Sequence, residues 1–595
     1  MEPLQPGPGR RPRRQVDTLW EARSAEALQP GPGRRPRRQV GAALASLLAI
    51  ACAPATTCTT PGRAAATPGL SAVAVRIATS QPRRRISPLI YGVAHAGPED
   101  LAALRPRLNR WGGNPNSRHN WELNAWNAAR DWEFRNYGDA RPEDRRPSGV
   151  ADRFVAETRA AGAEPVITIP ALGWVARDQN NETRSRDVPR GGGPPIAGPA
   201  GPIAGYDPTA NRAATSIRSL ARKGRPFEDP PDLDDDRVYQ DEWVYHLVHR
   251  FGPAAQGGVR YYVIDNEPDL WSETHTDVHP VQPGYQDLLD VFIEYAEAIK
   301  DVDPGARILG PALSGWTGLF FSPRDRGADN FRTHAERRAH GGVPFLPWWL
   351  EQVRRHDERA GRRTLDVLDV HYYPQGPHVF SERSDPATNA LRLRATRALW
   401  DPTYVDESWI REPVWLIPRL RGWIERSYPG TLLAIGEWNW GAEKTVNGAL
   451  AVADVLGIFG REGVDLAAYW TVPPRGSPSA FGFAMYTNYD GRGASFGDES
   501  LAVRSPLPPD DLSVYASRAS GRPEITVIAI NKRPDRQLAL ALVLDDFAPA
   551  EQARLYRYDA SQPAAIRDLG EVRLDGRQLT LTLPPYSITL ARVGR

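Results

Sequence analysis

The chain has 595 residues, 41% apolar and 25% charged, with a formal net charge of +2. These totals fit a globular protein of at least two domains and exclude nucleic acid as its main partner. Cys52 and Cys58 are the only cysteines, so the body has no disulfide framework and no thiolate metal site. A metal there would be a hard cation on oxygen ligands.

Leu4 to Val16 recurs unchanged at Leu28 to Val40. A tandem copy rich in Pro, Gly and Arg cannot bury a core. Arg37 and Arg38 then precede a short apolar run from Gly41 to Cys52. That order reads as a secretory signal rather than a membrane span. Leu48-Ala49-Ile50-Ala51-Cys52 resembles a bacterial lipobox, with the leucine four places before the cysteine rather than three. Cleavage after Ala53-Pro54-Ala55 is the alternative. The expectation is a bacterial protein, freely secreted or held at the outer surface as a lipoprotein, touching membrane only through Cys52.

The sequence divides into the address segment (1–60), a strand-bearing segment (61–85), a barrel (86–500) and a β-sandwich (501–595). In the second segment Ala72–Ala78 reads as a strand that crosses over to join the sandwich. From about Ile86 to Pro473, apolar strand-like runs alternate with amphipathic helical patterns, as in a parallel α/β fold. Eight runs start near Ile90, Arg107, Pro165, Val259, Ala306, Thr364, Thr431 and Asp465. Helical patterns cover Ala151–Ala161, Tyr285–Lys300, Pro347–Arg355, Leu416–Ser427 and Gly448–Arg461. Gly305, Gly361, Gly430 and Gly463 fall where left-handed helix caps are expected. Eight units predict a (β/α)8, TIM-like barrel. The connection from Trp174 to Asp241 is abnormally long and rich in Gly and Pro. Near its end, Asp232, Asp234, Asp235 and Asp236 read as caps and dipole complements for a helix over Asp241–Phe251, with a calcium site as the alternative. After about Ala502 the pattern becomes period-two strands separated by turn residues, as in a β-sandwich.

On this count Glu267, in Asn266-Glu267-Pro268, follows the fourth strand. Glu437, in Gly436-Glu437-Trp438-Asn439-Trp440, follows the seventh. Residues just past strand ends form the catalytic face of such a barrel. Two facing carboxyls there are the minimal apparatus for cleaving a glycosidic bond, one donating a proton and the other attacking. Arg110, ending the second strand, is placed to keep an attacking carboxylate ionised. Eighteen tryptophans are many for this length; Trp111, Trp174, Trp271, Trp316, Trp400, Trp438 and Trp440 lie in or after strand-end loops, where some are expected to stack on sugar and the rest to pack. His275 and His279 have helical metal-ligand spacing, but Pro280 and the loop context favour supporting or structural roles.

Asn109-Arg110-Trp111-Gly112-Gly113-Asn114, the Arg118–Asn124 block and Asp265–Trp271 with Thr276–Pro280 resemble glycoside hydrolase family 44 of clan A. So do Leu368–Gln375, Leu399–Trp409, Gly436–Gly441, Met485–Asp490 and Leu583–Leu590. The resemblance runs in order from about Ala72 to the end. It implies a retaining endo-β-1,4-glucanase acting on cellulose-like chains, with a xyloglucanase or other β-1,4-hemicellulase as the alternative and a non-catalytic polysaccharide-binding protein as the remote one. It implies Glu267 as general acid/base and Glu437 as nucleophile. Arg110, Trp111, Asn266, Trp271, His371, Tyr373, Trp400, Trp438 and Trp470 are then the expected substrate-binding residues. No cofactor is expected for catalysis; a structural calcium is allowed, with ligands unassigned. The expected partner is β-glucan or xyloglucan, and the expected state a monomer.

Overall fold

The computed structural model describes residues 72–138, 141–184, 215–327 and 329–594. The tandem repeat, the signal and lipobox with Cys52, and the Gly/Pro-rich stretch at 185–214 lie outside the described residues.

Eight parallel strands close into a barrel. In chain order they are Gly92–Ala94, Leu108–Trp111, Glu164–Ile169, Tyr261–Ile264, Arg307–Leu313, Val367–Tyr372, Leu432–Trp438 and Leu466–Tyr469. All eight sequence-predicted runs are present in the predicted order. The helices that return along the outside include Gly149–Ala160, Tyr285–Val302, Phe345–Ala360, Leu416–Ser427 and Val446–Glu462. Their buried faces and the outward faces of the strands make one large apolar cluster. A second cluster fills the lumen. It takes Leu108, Val166, Tyr261 and Val263, Leu309, Val367, Ala434, and Leu466 with Ala468, all from the inward side of their strands. Because side chains alternate along a strand, Arg110 shares the inward side with Leu108, and Asp369 and His371 share it with Val367.

The seventh strand breaks this alternation. Val370 of the sixth strand stands opposite Ile435, but His371 stands opposite Glu437, so Gly436 is an extra residue. Such a bulge re-aims the side chains beyond it. Without it Glu437, three residues after inward-facing Ala434, would point at the helices. With it, Glu437 points into the lumen.

The long connection after the third strand is partly structured: Trp174–Ala176, Ser216–Leu220 and Arg237–Tyr239 form a small three-stranded sheet. The aspartates before the next helix do not cap it. That helix, Gln240–Phe251, starts from Tyr239 and carries Asp241 and Glu242 in its own first turn. Asp235 instead takes a 2.6 Å ion pair from Arg225 and a hydrogen bond from the Tyr239 hydroxyl.

The remaining strands make a nine-stranded, largely antiparallel sheet with its own apolar core. Val73–Arg85 lies inside it, antiparallel to Glu499–Arg504 and parallel to Leu538–Asp545. The N-terminal strand therefore joins the C-terminal β domain, as its sequence predicts. Glu499–Arg504 is a strand that the period-two reading does not register. The β domain packs on the barrel helix Val446–Glu462, where Asp454 accepts from Lys532 Nζ at 2.7 Å and from the Tyr515 hydroxyl at 2.8 Å.

Candidate active site

Glu267 sits in the loop just after the fourth strand, in the left-handed region at φ +45°. Asp265, two residues before it, has φ +59°. Two non-glycine residues in this region within three positions store local strain, which persists only where surrounding contacts over-determine it. Those contacts are present. The Glu267 amide donates to the Ala312 carbonyl at 3.0 Å. The fully buried Asp265 carboxylate accepts from Ser117, the Ala171 amide, the Asn266 amide and the Trp271 indole.

Glu437 arrives from the bulged end of the seventh strand. One oxygen of Glu437, one of Glu267 and a ring nitrogen of His371 all lie within 4.8 Å of one another. Glu437 and Glu267 are 4% and 8% exposed, so their charges act in a medium of low polarity. Glu437 is held on both oxygens. Arg110 Nη1 donates to Oε1 at 2.6 Å, and the Tyr373 hydroxyl donates to Oε2 at 2.8 Å. Arg110 Nη2 donates to the Asn266 side-chain carbonyl at 3.0 Å, which fixes the amide next to Glu267. Burial by itself lowers the Arg110 guanidinium, but the charges of Glu437 and Asp369 outweigh it and hold the group above its ordinary value. Burial, reinforced by Glu437, pushes the Tyr373 phenol far above its usual range, so it stays a neutral donor.

His371 completes the link between the two carboxyls. Its Nδ1 is 3.0 Å from Glu267 Oε1 and 3.5 Å from Glu437 Oε2. Burial lowers its pKa against the pull of Glu437, so the ring is neutral. A neutral ring donates from only one nitrogen, and the position of Nδ1 assigns that donor to the Glu267 side. Asp269, against Glu267, is pushed up to about 7, by burial and then by the Glu267 charge, while it accepts from Ser314.

Asp369 lies on the inward side of the sixth strand behind these groups and is fully buried. A Cβ on Gly436 would overlap both its carboxylate oxygens. The glycine at the bulge therefore makes room for a third carboxyl beneath the pair. Burial raises the pKa of Asp369, against the cationic pull of Arg110.

The predicted site residues separate into three groups. Arg110, Asn266, Glu267, His371, Tyr373 and Glu437 converge. Trp470 joins them from the end of the eighth strand, half-buried, with its ring 5.9 Å from the Arg110 guanidinium. It packs so closely over Gly113 that a Cβ there would overlap the ring. Trp111, Trp271 and Trp438 are buried supports rather than walls of the cleft. Trp111 packs on His119, Trp126 and Phe154, and Trp271 donates to Asp265. Trp438, 0% exposed, packs edge-on to Phe459 and Tyr469. Trp400 lies elsewhere, against Arg461 near the β domain. His275 is fully buried and its pKa lies well below the usual value, by burial and then by Arg118. The Arg118–Asp277 ion pair beside it is equally buried, which fits a structural loop.

Sequence reasoning missed four contributors. Asp369 had a signal, since it is two residues from His371 on one strand face. Asp265 and Asp269 flank Glu267 but are set in place by remote loops. Trp409 is 37% exposed and donates to Gln375 Oε1 at 3.2 Å, three residues past the sixth strand. It stands on the rim of the catalytic face as an aromatic surface. Among the described residues, the one cluster able to offer three close metal ligands is Glu267, His371 and Glu437. The guanidinium 2.6 Å from Glu437 opposes a divalent cation there.

A family model, glycoside hydrolase family 44, matches residues 125–376. The chain is 33% identical to endoglucanase A of Paenibacillus lautus over 554 residues, 89% of this chain and 74% of that protein. It is 30% identical to beta-mannanase/endoglucanase A of Caldicellulosiruptor saccharolyticus, spanning 87% of this chain but 38% of that longer protein. Among solved structures, CelM2, a bifunctional glucanase-xylanase from a metagenome library, aligns with a TM-score of 0.77 at 39% identity, covering 88% of this chain and 99% of that one. A Paenibacillus polymyxa xyloglucanase solved with xyloglucan aligns equally well, at 28% identity over 88% and 100% of the two chains.

Proposed function

The chain belongs to glycoside hydrolase family 44, and from that premise we propose that it is a retaining endo-β-1,4-glucanase working by double displacement. The carrying observation is the spacing of the two carboxyls, whose nearest oxygens are within 4.8 Å. Retaining enzymes keep the pair roughly 5–5.5 Å apart, whereas inverting ones leave room for water at about 6.5–9.5 Å.

Glu437 attacks the anomeric carbon while Glu267 passes its proton to the departing glycosidic oxygen. Arg110 and Tyr373 hold the Glu437 carboxylate on both oxygens, so it is aimed before substrate arrives. Once Glu437 is esterified, its negative charge is gone. Glu267, now a carboxylate beside the neutral His371, takes a proton from water, and that water releases the sugar from Glu437. Asn266, fixed by Arg110, faces the sugar ring from the Glu267 side, where a hydrogen bond to the 2-hydroxyl gains strength in the transition state. Trp470 offers a floor for the central sugar, and Trp409 a surface further along the chain.

Following the first product by NMR tests the stereochemistry. The β-anomer should appear first, and an α-anomer would rule out retention. Glu267→Gln and Glu437→Gln should each remove reducing-end release from soluble β-glucan, and survival of activity in either variant would sink its assigned role.

The preferred polysaccharide is a cellulose-like β-1,4-glucan or its xylose-branched form; the xyloglucan-bound relative favours giving the second equal standing. Comparing kcat/KM on carboxymethylcellulose, mixed-linkage glucan and xyloglucan, with product sizing, decides between them. The proposal also carries export through the N-terminal signal, with Cys52 as lipid acceptor, and a monomer acting without a catalytic cofactor. Radiolabelled lipid incorporation that persists in Cys52→Ala would exclude that anchor. A structural calcium on oxygen ligands stays within the proposal, and a melting temperature unmoved by a chelator would remove it.

A further inference from the structure

The seam between the barrel and the β domain contains a cavity of about 230 Å³ that the catalytic scheme does not use. Its barrel wall is the last turns of the helix Val446–Glu462, at Gly457 and Arg461. That helix leaves the catalytic end of the barrel and runs back, so the cavity lies toward the opposite end from Glu267 and Glu437.

The charge of its lining is one-sided. Arg83, Arg397, Arg461 and Lys532 face it, and among the described residues no carboxylate does. The net charge of the chain is only +2, so four cations on one small cavity are a local concentration rather than a reflection of overall basicity. Carboxylates behind the wall compensate three of them. Lys532 pairs with Asp454, Arg397 with Asp401 and Asp510, and Arg461 Nε with Glu462 at 2.7 Å. Two donors remain over. Among the described residues, Arg83 makes no ion pair, and Nη2 of Arg461 is buried with no hydrogen-bond acceptor. A buried guanidinium nitrogen without an acceptor forfeits the hydrogen bond it makes in water. Such a donor is a standing invitation to an oxyanion, which the planar fork of arginine matches in shape.

The aromatic residues of the wall orient that fork. The Arg461 guanidinium lies over the Trp400 ring at 4.2 Å and near the Tyr515 ring at 5.8 Å. Contact with two aromatic rings restrains the guanidinium at the cavity wall.

We propose that this seam cavity is a binding site for the oxyanion group of a small molecule, a carboxylate, sulfate or phosphate held by Arg461 and Arg83. The sources that share this chemistry are free inorganic anions and acidic sugars of the uronic acid class. Because the ligand would bridge β-domain and barrel residues, its binding would also tie the two together.

Isothermal titration of the full chain tests this. Sodium sulfate and sodium glucuronate are titrated separately at constant ionic strength, with glucose as the neutral control. The expected result is one anion site, no heat from glucose, and at least about tenfold weaker binding in both Arg83→Gln and Arg461→Gln. Arg83 is exposed, so its variant tests the site without disturbing a packed interface. Unchanged hydrolysis of soluble β-glucan would show that both variants are folded. Binding of sulfate alone would assign an inorganic oxyanion, and tighter binding of glucuronate would assign an acidic sugar. Absence of binding by either anion, or equal binding by the wild type and both variants, would overturn the proposal.

Discussion

At the scale of single residues, the site works by over-determining one carboxylate. Glu437 is gripped on both oxygens by Arg110 and Tyr373, and Glu267 lies within hydrogen-bond reach of the neutral His371 imidazole. On the proposed mechanism, that two-point grip is what suits Glu437 to be the attacking carboxylate of the pair. Tyr373→Phe removes one hydrogen bond to a charged group, of about 1.5–3 kcal/mol, without emptying the space. The expected outcome is a fall in kcat of about ten- to a hundredfold with KM little changed, since on the proposed mechanism the bond aims the attacking carboxylate rather than binds sugar. Steady-state kinetics on a soluble β-glucan reads this directly. A second residue-scale prediction concerns Glu122, which is buried and pushed up to about 8, by burial and then by the charge of Glu242. The folded protein keeps that proton to higher pH than the unfolded chain does, so its ionisation favours unfolding as pH rises from about 4.5 to 8. Glutamine does not ionise. Glu122→Gln should therefore gain stability relative to wild type across that window and show no further change above it. Urea midpoints at pH 4, 6 and 8.5 would expose a flat difference if the idea is wrong.

At the scale of elements, the decisive feature is the extra residue in the seventh strand. The run Leu432–Ile435 marks a strand, and Glu437 beyond it is visible as a candidate. Strand periodicity alone, however, assigns Glu437 to the outer face. Pairing with the sixth strand changes this, because His371 meets Glu437 and Gly436 is left over. The space a side chain would need at Gly436 is filled by Asp369. Gly436→Ala should thus cost about 1–3 kcal/mol through overpacking and lower kcat by moving Glu437 relative to Arg110. A thermal transition and a kcat both matching wild type would contradict this account. The tryptophans carry the same lesson in reverse. Strand-end position made Trp111, Trp271 and Trp438 look like sugar platforms, yet each is packed under the site. Position along the chain limits where a side chain starts, whereas neighbouring elements decide which of its faces stays open.

At the scale of the whole molecule, the N-terminal strand Val73–Arg85 is an interior member of the β domain. Its backbone pairs with Glu499–Arg504 on one side and Leu538–Asp545 on the other. Val75 and Ile77 are fully buried in that domain's core. A chain starting at residue 86 would expose two unpaired strand edges and open the core. The expected outcome is an aggregating product without enzymatic activity, where a chain starting at residue 72 stays soluble and active. Size-exclusion chromatography of the two compares them, and a monomeric, active product from residue 86 would refute the role given to this strand.

The sequence by itself determined the alternating strand and helix units, the order of the eight barrel strands, the crossing of the N-terminal strand and the two candidate glutamates. Those features rest on local periodicity and turn chemistry, which neighbouring residues in the chain carry among themselves. Only the tertiary structure decided which way Glu437 faces, that Asp369 sits beneath it, that Asp265 and Asp269 brace Glu267, and which tryptophans are open. Each of these depends on register and packing between segments far apart in sequence. A shift of one residue in strand pairing turns every side chain to the opposite face, and no local pattern records that shift.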